Sequence, residues 1–138
     1  MNFHEVFYGS NVAFDSAANA TWGNYVNFVT TPKNGWVQVD NIYYFYQRGT
    51  LIKGWLQDLY GCWYLLDYST GAMKTGWVAD GNYWYYLNPV NGIMQTGWIT
   101  IDGDGTYYCD SSGRMLTGRQ QIDGIWFTFD SSGRLQQL

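Results

Sequence analysis

The sequence predicts an all-β protein made of stacked β-hairpins, about 20 residues to the unit. Three observations lead there: a Gly-Trp pair recurring at a near-constant step, a block of β-forming aromatic residues within each step, and turn residues at fixed places between them. No segment carries a helical period.

Gly-Trp stands at Gly35-Trp36, Gly54-Trp55, Gly76-Trp77 and Gly97-Trp98, and Gly118-Arg119 holds the next register, with steps of 19, 22, 21 and 21 residues. Residues 35–138 thus divide into five tandem copies: "GWVQVDNIYYFYQRGTLIK", "GWLQDLYGCWYLLDYSTGAMKT", "GWVADGNYWYYLNPVNGIMQT", "GWITIDGDGTYYCDSSGRMLT" and "GRQQIDGIWFTFDSSGRLQQL". Each is read as a first strand on the Gly-Trp pair, a tight turn such as Asp80-Gly81-Asn82 or Asp102-Gly103-Asp104-Gly105, and a second strand on the aromatic block. A second turn, "DSSG" at Asp110 to Gly113 and again at Asp130 to Gly133, hands on through a short link such as "AMKT". Along the second strand, alternation puts Trp84 and Tyr86 on one face and Tyr85 and Leu87 on the other. A two-stranded hairpin is marginal alone, so one face must be buried against adjacent repeats. The other keeps rings to spare, which predicts a row of aromatic clefts between units.

Residues 1–34 fit the repeat poorly. "EVFYGSNVAFD" and "NYVNFVTTPKNG" read as strand-turn pieces, and Trp22 and Tyr25 keep some aromatic character. This segment is expected to be a degenerate repeat or cap over the first open end, because terminal units of stacked folds are atypical. Asn19-Ala20-Thr21 matches a glycosylation sequon, a pattern that recurs by chance.

Composition narrows the function. The 138 residues are 20% aromatic and only 13% charged, with a net charge of −4 and seven basic residues. No Lys/Arg cluster exists to track phosphates, which argues against nucleic acid. Apolar runs of four to six residues are too short for membrane insertion, and "MNFHEV" does not read as a signal peptide. His4 is the sole histidine and lies outside the repeats, so no His-based triad or metal site is expected. "IDGDG" resembles a calcium loop in carboxylate spacing but lacks the distal Glu and reads as a hairpin turn. The acidic residues mostly occupy turns, with no pair placed in a protected cleft, so neither a catalytic residue nor a cofactor is expected. Cys62 and Cys109 fall at different offsets of their repeats and read as buried free thiols.

Aromatic clefts suit a quaternary ammonium, whose diffuse charge and apolar exterior match ring faces. The pattern Gly-Trp, spacer, Trp-Tyr-Tyr, Asp-containing turn, Gly-x-Met-x-Thr and Gly-Trp again resembles the cell-wall-binding repeat of choline-binding modules, found on bacterial autolysins, phage lysins and surface proteins. The resemblance covers Gly35 to Leu138. It implies a β-solenoid of stacked hairpins that binds choline or phosphocholine on the teichoic acids of a Gram-positive cell wall, extracellularly and without catalysis. It also implies sites formed by two Trp of one hairpin and an aromatic of the next, with the loop Met nearby. Carried over, one site would comprise Trp55, Trp63, Tyr86 and Met73, and a second Trp77, Trp84, Tyr108 and Met94. Trp36 with Tyr44 and Trp63, and Trp98 with Trp126, are candidates for incomplete sites. Ile42 and Thr106 replace the block-opening Trp in the first and fourth copies, and Arg119 would place a cation where a cation should bind.

Each ring also has a bland reading, since large aromatics are what short hairpins use as core. Tyr64, Tyr85 and Tyr107 read as core, and Met73, Met94 and Met115, in one register, could be gap-fillers. Other functions stay open at this point. Similar repeats occur in glucan-binding regions of glucosyltransferases and in clostridial toxins, so a carbohydrate-binding module is the alternative. Exposed solenoid ends also suit a homo-oligomer. A wall-targeting role implies association with a lysin's catalytic domain outside this chain.

Overall fold

The computed structural model describes residues 33–136. The N-terminal cap or degenerate repeat expected over 1–34 lies almost wholly outside them, as do His4, Trp22, Tyr25 and the sequon. The described residues are all-β. Their strands are β1 (Gly35–Val39), β2 (Ile42–Gln47), β3 (Thr50–Leu51), β4 (Gly54–Gln57), β5 (Trp63–Leu66), β6 (Gly76–Asp80), β7 (Tyr83–Leu87), β8 (Gly97–Ile101), β9 (Gly105–Cys109), β10 (Gly118–Ile122) and β11 (Ile125–Phe129).

The Gly-Trp segment and the following aromatic block pair as an antiparallel hairpin in each copy: β1 with β2, β4 with β5, β6 with β7, β8 with β9 and β10 with β11. Turn chemistry sets each register. Asp40 and Asn41 both take positive φ, as do Asp123 and Gly124, which fits the two-residue turns that follow strand twist. Val39 thereby faces Ile42, and Ile122 faces Ile125. Beyond β2, Arg48 and Gly49 make a further such turn into the short β3.

The chain forms two compact units, 33–56 with 65–73 and 57–64 with 74–136, so the division falls within the β4–β5 hairpin. The first unit buries Trp36, Val37, Leu65 and Leu66. In the second, Ile99, Tyr107 and Cys109 form a buried cluster against which Trp77, Tyr86, Ile101 and Met115 pack. One register recurs as core: Leu66, Leu87, Cys109 and Phe129, each the last residue of its hairpin's second strand, are all buried. Cys109 fills a leucine's place, and burial pushes its thiol up to about 12.

The links between hairpins are more than connectors. From the second hairpin on, each begins with an Asx turn, in which a carboxylate or amide oxygen accepts from amides two to four residues on. Asp110 accepts from Ser112 and Arg114 at 2.8 and 3.0 Å, and Asp130 from Ser132 and Arg134 at 2.8 Å each. The link then runs extended and pairs with its own hairpin, through the antiparallel bridges Leu66–Met73, Leu87–Met94, Cys109–Met115 and Phe129–Leu135. It also donates backward. Met73 N–H bonds the Tyr43 carbonyl at 2.9 Å, Met94 that of Trp63 at 2.8 Å, Met115 that of Trp84 at 2.9 Å, and Leu135 that of Thr106 at 2.7 Å.

This backward step needs room at the turn glycine. Gly133 is buried at φ +86°, and a Cβ there would run into the Met115 thioether; Gly113 (φ +84°) stands in the same relation to Met94. A Gly133→Ala substitution should therefore cost about 2–4 kcal/mol, left-handed strain plus overpacking. Gly124→Ala, at φ +82° with open space around its Cβ, should cost only about 1 kcal/mol. Urea unfolding of the two variants checks the order. Thiol labelling at pH 8 supplies a second test. Because the folded-state value of Cys109 is raised, its neutral thiol is favoured up to strongly alkaline pH, and folding is disfavoured as pH rises through that value. Cys109 should react only on unfolding, while the half-buried Cys62 reacts in the native protein.

Candidate functional site

An aromatic cleft lies in the second unit. Trp77 on β6 faces Tyr86 across its own hairpin, ring centroids 4.8 Å apart. Trp84, second residue of β7, stands opposite Ala79, with 47% of its surface exposed. The neighbouring hairpin brings Tyr107 on β9 to within 4.9 Å of the Trp77 ring. Met115 is drawn to the same place by its amide bond to the Trp84 carbonyl. Trp77, Trp84, Tyr107 and Met115 line a cleft of about 300 Å³ whose rim carries Ser131 and Ser132 of the following turn.

Such a cleft offers two indole rings, a phenol ring and a polarizable thioether, with hydroxyls at the edge. It fits a compact apolar cation better than an anion, since ring faces are negative. Tyr107 is fixed from behind: its hydroxyl donates to the Asp104 carboxylate at 3.0 Å, and the Arg134 guanidinium donates to the other Asp104 oxygen at 2.6 Å. The Arg134 bond, and then that of Tyr107, hold the Asp104 carboxyl below its ordinary range. Burial, reinforced by the Asp104 bond, pushes the Tyr107 hydroxyl above the usual tyrosine range, so it stays a neutral donor.

The sequence-expected residues are placed only partly as grouped. Trp77 and Trp84 come together. Tyr108 does not join them; it faces Trp98 in its own hairpin, ring centroids 4.9 Å apart, and Tyr107 stands in the cleft instead. Tyr86 is likewise taken up by the Trp77 of its own hairpin. Directly opposed residues share a face, so the residue facing the Gly-Trp tryptophan serves its own hairpin, and the preceding residue reaches back. The Met positions shift by one repeat for the main-chain reason above. Met115 belongs with Trp84, Met94 is bonded to the Trp63 main chain, and Met73 to Tyr43. Trp55 is half-buried on β4, and Trp63 is 38% exposed at the start of β5.

The incomplete sites also resolve differently. Trp36 is only 5% exposed, edge-on to Phe45 at 5.2 Å, and is core; Tyr44 faces Val37 across the hairpin. Trp98 meets Phe127, not Trp126, with 4.9 Å between rings, the counterpart of the Trp77–Tyr107 contact one repeat on. Trp126 is covered by the Arg119 guanidinium, 4.0 Å above its ring, so the chain supplies its own cation there. Sequence reasoning missed Ser131, Ser132, Asp104 and Arg134. The first two sit in a turn motif that reads as purely structural, and the last two are joined across 30 residues of chain.

Comparison with known proteins identifies the repeat. A family model described as a choline-binding repeat matches residues 95–136, and one described as a cell wall binding repeat matches residues 53–73 and 75–94. No curated protein sequence matches the chain. Among solved structures, the chain is similar to CbpJ of Streptococcus pneumoniae TIGR4, with 42% identity and a TM-score of 0.70 over 75% of this chain and 35% of that one. The pneumococcal cell wall endolysin of phage Cp-1, solved with choline, gives 33% identity and a TM-score of 0.58 over 77% of this chain and 32% of that one. The choline-binding domain of Spr1274 of Streptococcus pneumoniae gives 36% identity and a TM-score of 0.52 over 62% of this chain and 96% of that one. The chain spans about a third of the length of CbpJ and of the endolysin. With its repeats matched over residues 53–136 and nearly the whole of a choline-binding domain covered, this chain belongs to the choline-binding family of cell wall binding repeat proteins.

Proposed function

We propose that this chain is a non-catalytic module that attaches to bacterial cell wall by caging the choline groups of teichoic acids. The observation that carries the reading is the convergence of Trp77, Trp84, Tyr107 and Met115 on one cleft. A trimethylammonium group has no proton to donate, so its recognition falls to ring faces and a thioether. At about 0.5–2 kcal/mol per ring, three rings support millimolar affinity for free choline. A wall polymer presents choline many times over, and a repeat protein with more than one cleft converts weak single contacts into firm attachment.

In this reading the module works outside a Gram-positive cell, in company with a catalytic lysin domain or as part of a surface protein. Trp63 and Met94 occupy the registers of Trp84 and Met115 one repeat earlier, joined by the same main-chain bond, and are assigned to a second cage. Trp98 has Thr106 where Trp84 stands in its own repeat, and its contribution is weak. The last repeat is closed by Arg119.

Titration with choline, followed by intrinsic tryptophan fluorescence and melting temperature, tests this. Saturation in the millimolar range with a raised melting temperature is expected, and Trp77→Ala or Trp84→Ala should weaken it at least tenfold, a loss of about 1.4 kcal/mol. A response to glucan oligomers but none to choline would make the rings a sugar platform. Arg119→Ala provides a separate check. Uncovering Trp126 should leave existing affinity unchanged and raise the quenching of tryptophan emission by an added cation such as cesium.

A further inference from the structure

We propose that Asp104 and Arg134 are positioning residues for the Trp77/Trp84 cleft, holding the Tyr107 ring where it closes on the ligand's cationic head. The proposal rests on the cage reading above and assigns it a supporting layer drawn from two further repeats.

Tyr107 is the only ring of the cleft contributed by the adjacent hairpin. Its Cα is set by β9, opposite Ile99, and the far end of its side chain by the Asp104 carboxylate at 3.0 Å. Asp104 sits in an exposed turn and would not be a fixed anchor by itself. Arg134 makes it one, because the guanidinium bonds the carboxylate at 2.6 Å and also the Asp104 main-chain carbonyl at 3.1 Å. Arg134 is in turn held at its amide by Asp130, whose turn carries Ser131 and Ser132 to the rim of the same cleft. One chain of bonds thus links the Tyr107 wall to the serine wall.

Two further features indicate a built device. Gly105 has ordinary backbone geometry, yet a Cβ there would collide with the Arg134 side chain, so glycine is needed for the guanidinium stem to cross β9. The same tie also recurs: Tyr64, in the register of Tyr107, donates its hydroxyl to the turn residue Asp58 at 2.9 Å. In the last repeat that register holds Phe127, which has no hydroxyl to tie.

The test is a double-mutant cycle in choline affinity on the whole chain, with Tyr107→Phe, Asp104→Ala and the double variant, and Trp84→Ala as reference. Melting curves without choline establish that each variant is folded. If the tie pre-organises the ring, each single change weakens choline binding about three- to tenfold, and the double change is no worse than either single one. Asp104→Ala should also lower the pH at which Tyr107 ionises, read as phenolate absorbance against Tyr107→Phe. Should Asp104→Ala fail to fold, Gly105→Ala, which displaces Arg134 without touching a charge, takes its place and should show the same loss. Strictly additive effects, or unchanged affinity in both singles while Trp84→Ala loses binding, would overturn the positioning role and leave the cage standing. Unchanged affinity in Trp84→Ala would overturn both.

Discussion

The arrangement depends on one main-chain hydrogen bond in each repeat after the first, from the amide that follows the hairpin to a carbonyl in the second strand of the hairpin before it. Met115 to Trp84 is the instance at the cleft. A hairpin of five-residue strands is marginal in water, and within the second unit this bond ties each successive hairpin to the one before it. It also fixes register. A slip by one residue would move Tyr107 out of the cleft and bring Tyr108 in, because side chains alternate at every step.

That constraint explains how so many rings divide their work. Three of the Gly-Trp tryptophans have a ring neighbour within their own hairpin, Phe45 for Trp36, Tyr86 for Trp77 and Tyr108 for Trp98. Whether such a tryptophan also lines a cleft depends on what the next repeat brings. Tyr107 meets Trp77, Phe127 meets Trp98, and Trp36 is simply buried. The block-opening tryptophan is the exposed partner: Trp63, Trp84 and Trp126 all keep more than a third of their surface open. A complete cleft needs both kinds of tryptophan, and Thr106 breaks the pair in the fourth repeat while Arg119 breaks it in the fifth.

The hairpins were legible because their signals are local. The Gly-Trp steps place the first strand of every copy, and Asp-Asn or Asp-Gly dipeptides announce the tight turns. The pairing of Trp77 with Trp84 followed from the same register. What the sequence did not reveal lies between repeats. Strand alternation says which rings share a face, but not which of two faces meets the next hairpin, so Tyr108 stood in for Tyr107. Nothing in "AMKT" announces that a linker amide will reach back to the preceding hairpin, so each Met was grouped with the tryptophans of its own repeat, whereas its amide bonds the repeat before. The Asp104–Arg134 pair spans a full turn of the repeat and has no local signature at all.

Because the walls of the cleft come from three successive repeats, a ligand held there would couple occupancy to stacking. Trp77 and Trp84 belong to the third hairpin, Tyr107 and Met115 to the fourth and its link, and Ser131 and Ser132 to the turn after the fifth. In a repeat protein stability is close to a sum of weak unit terms and nearest-neighbour terms. A ligand bridging three successive repeats adds to those neighbour terms and so makes separation of any one repeat costlier. Attachment to a polymer would then stiffen the protein at the places where it is held, with no conformational switch beyond the stacking itself.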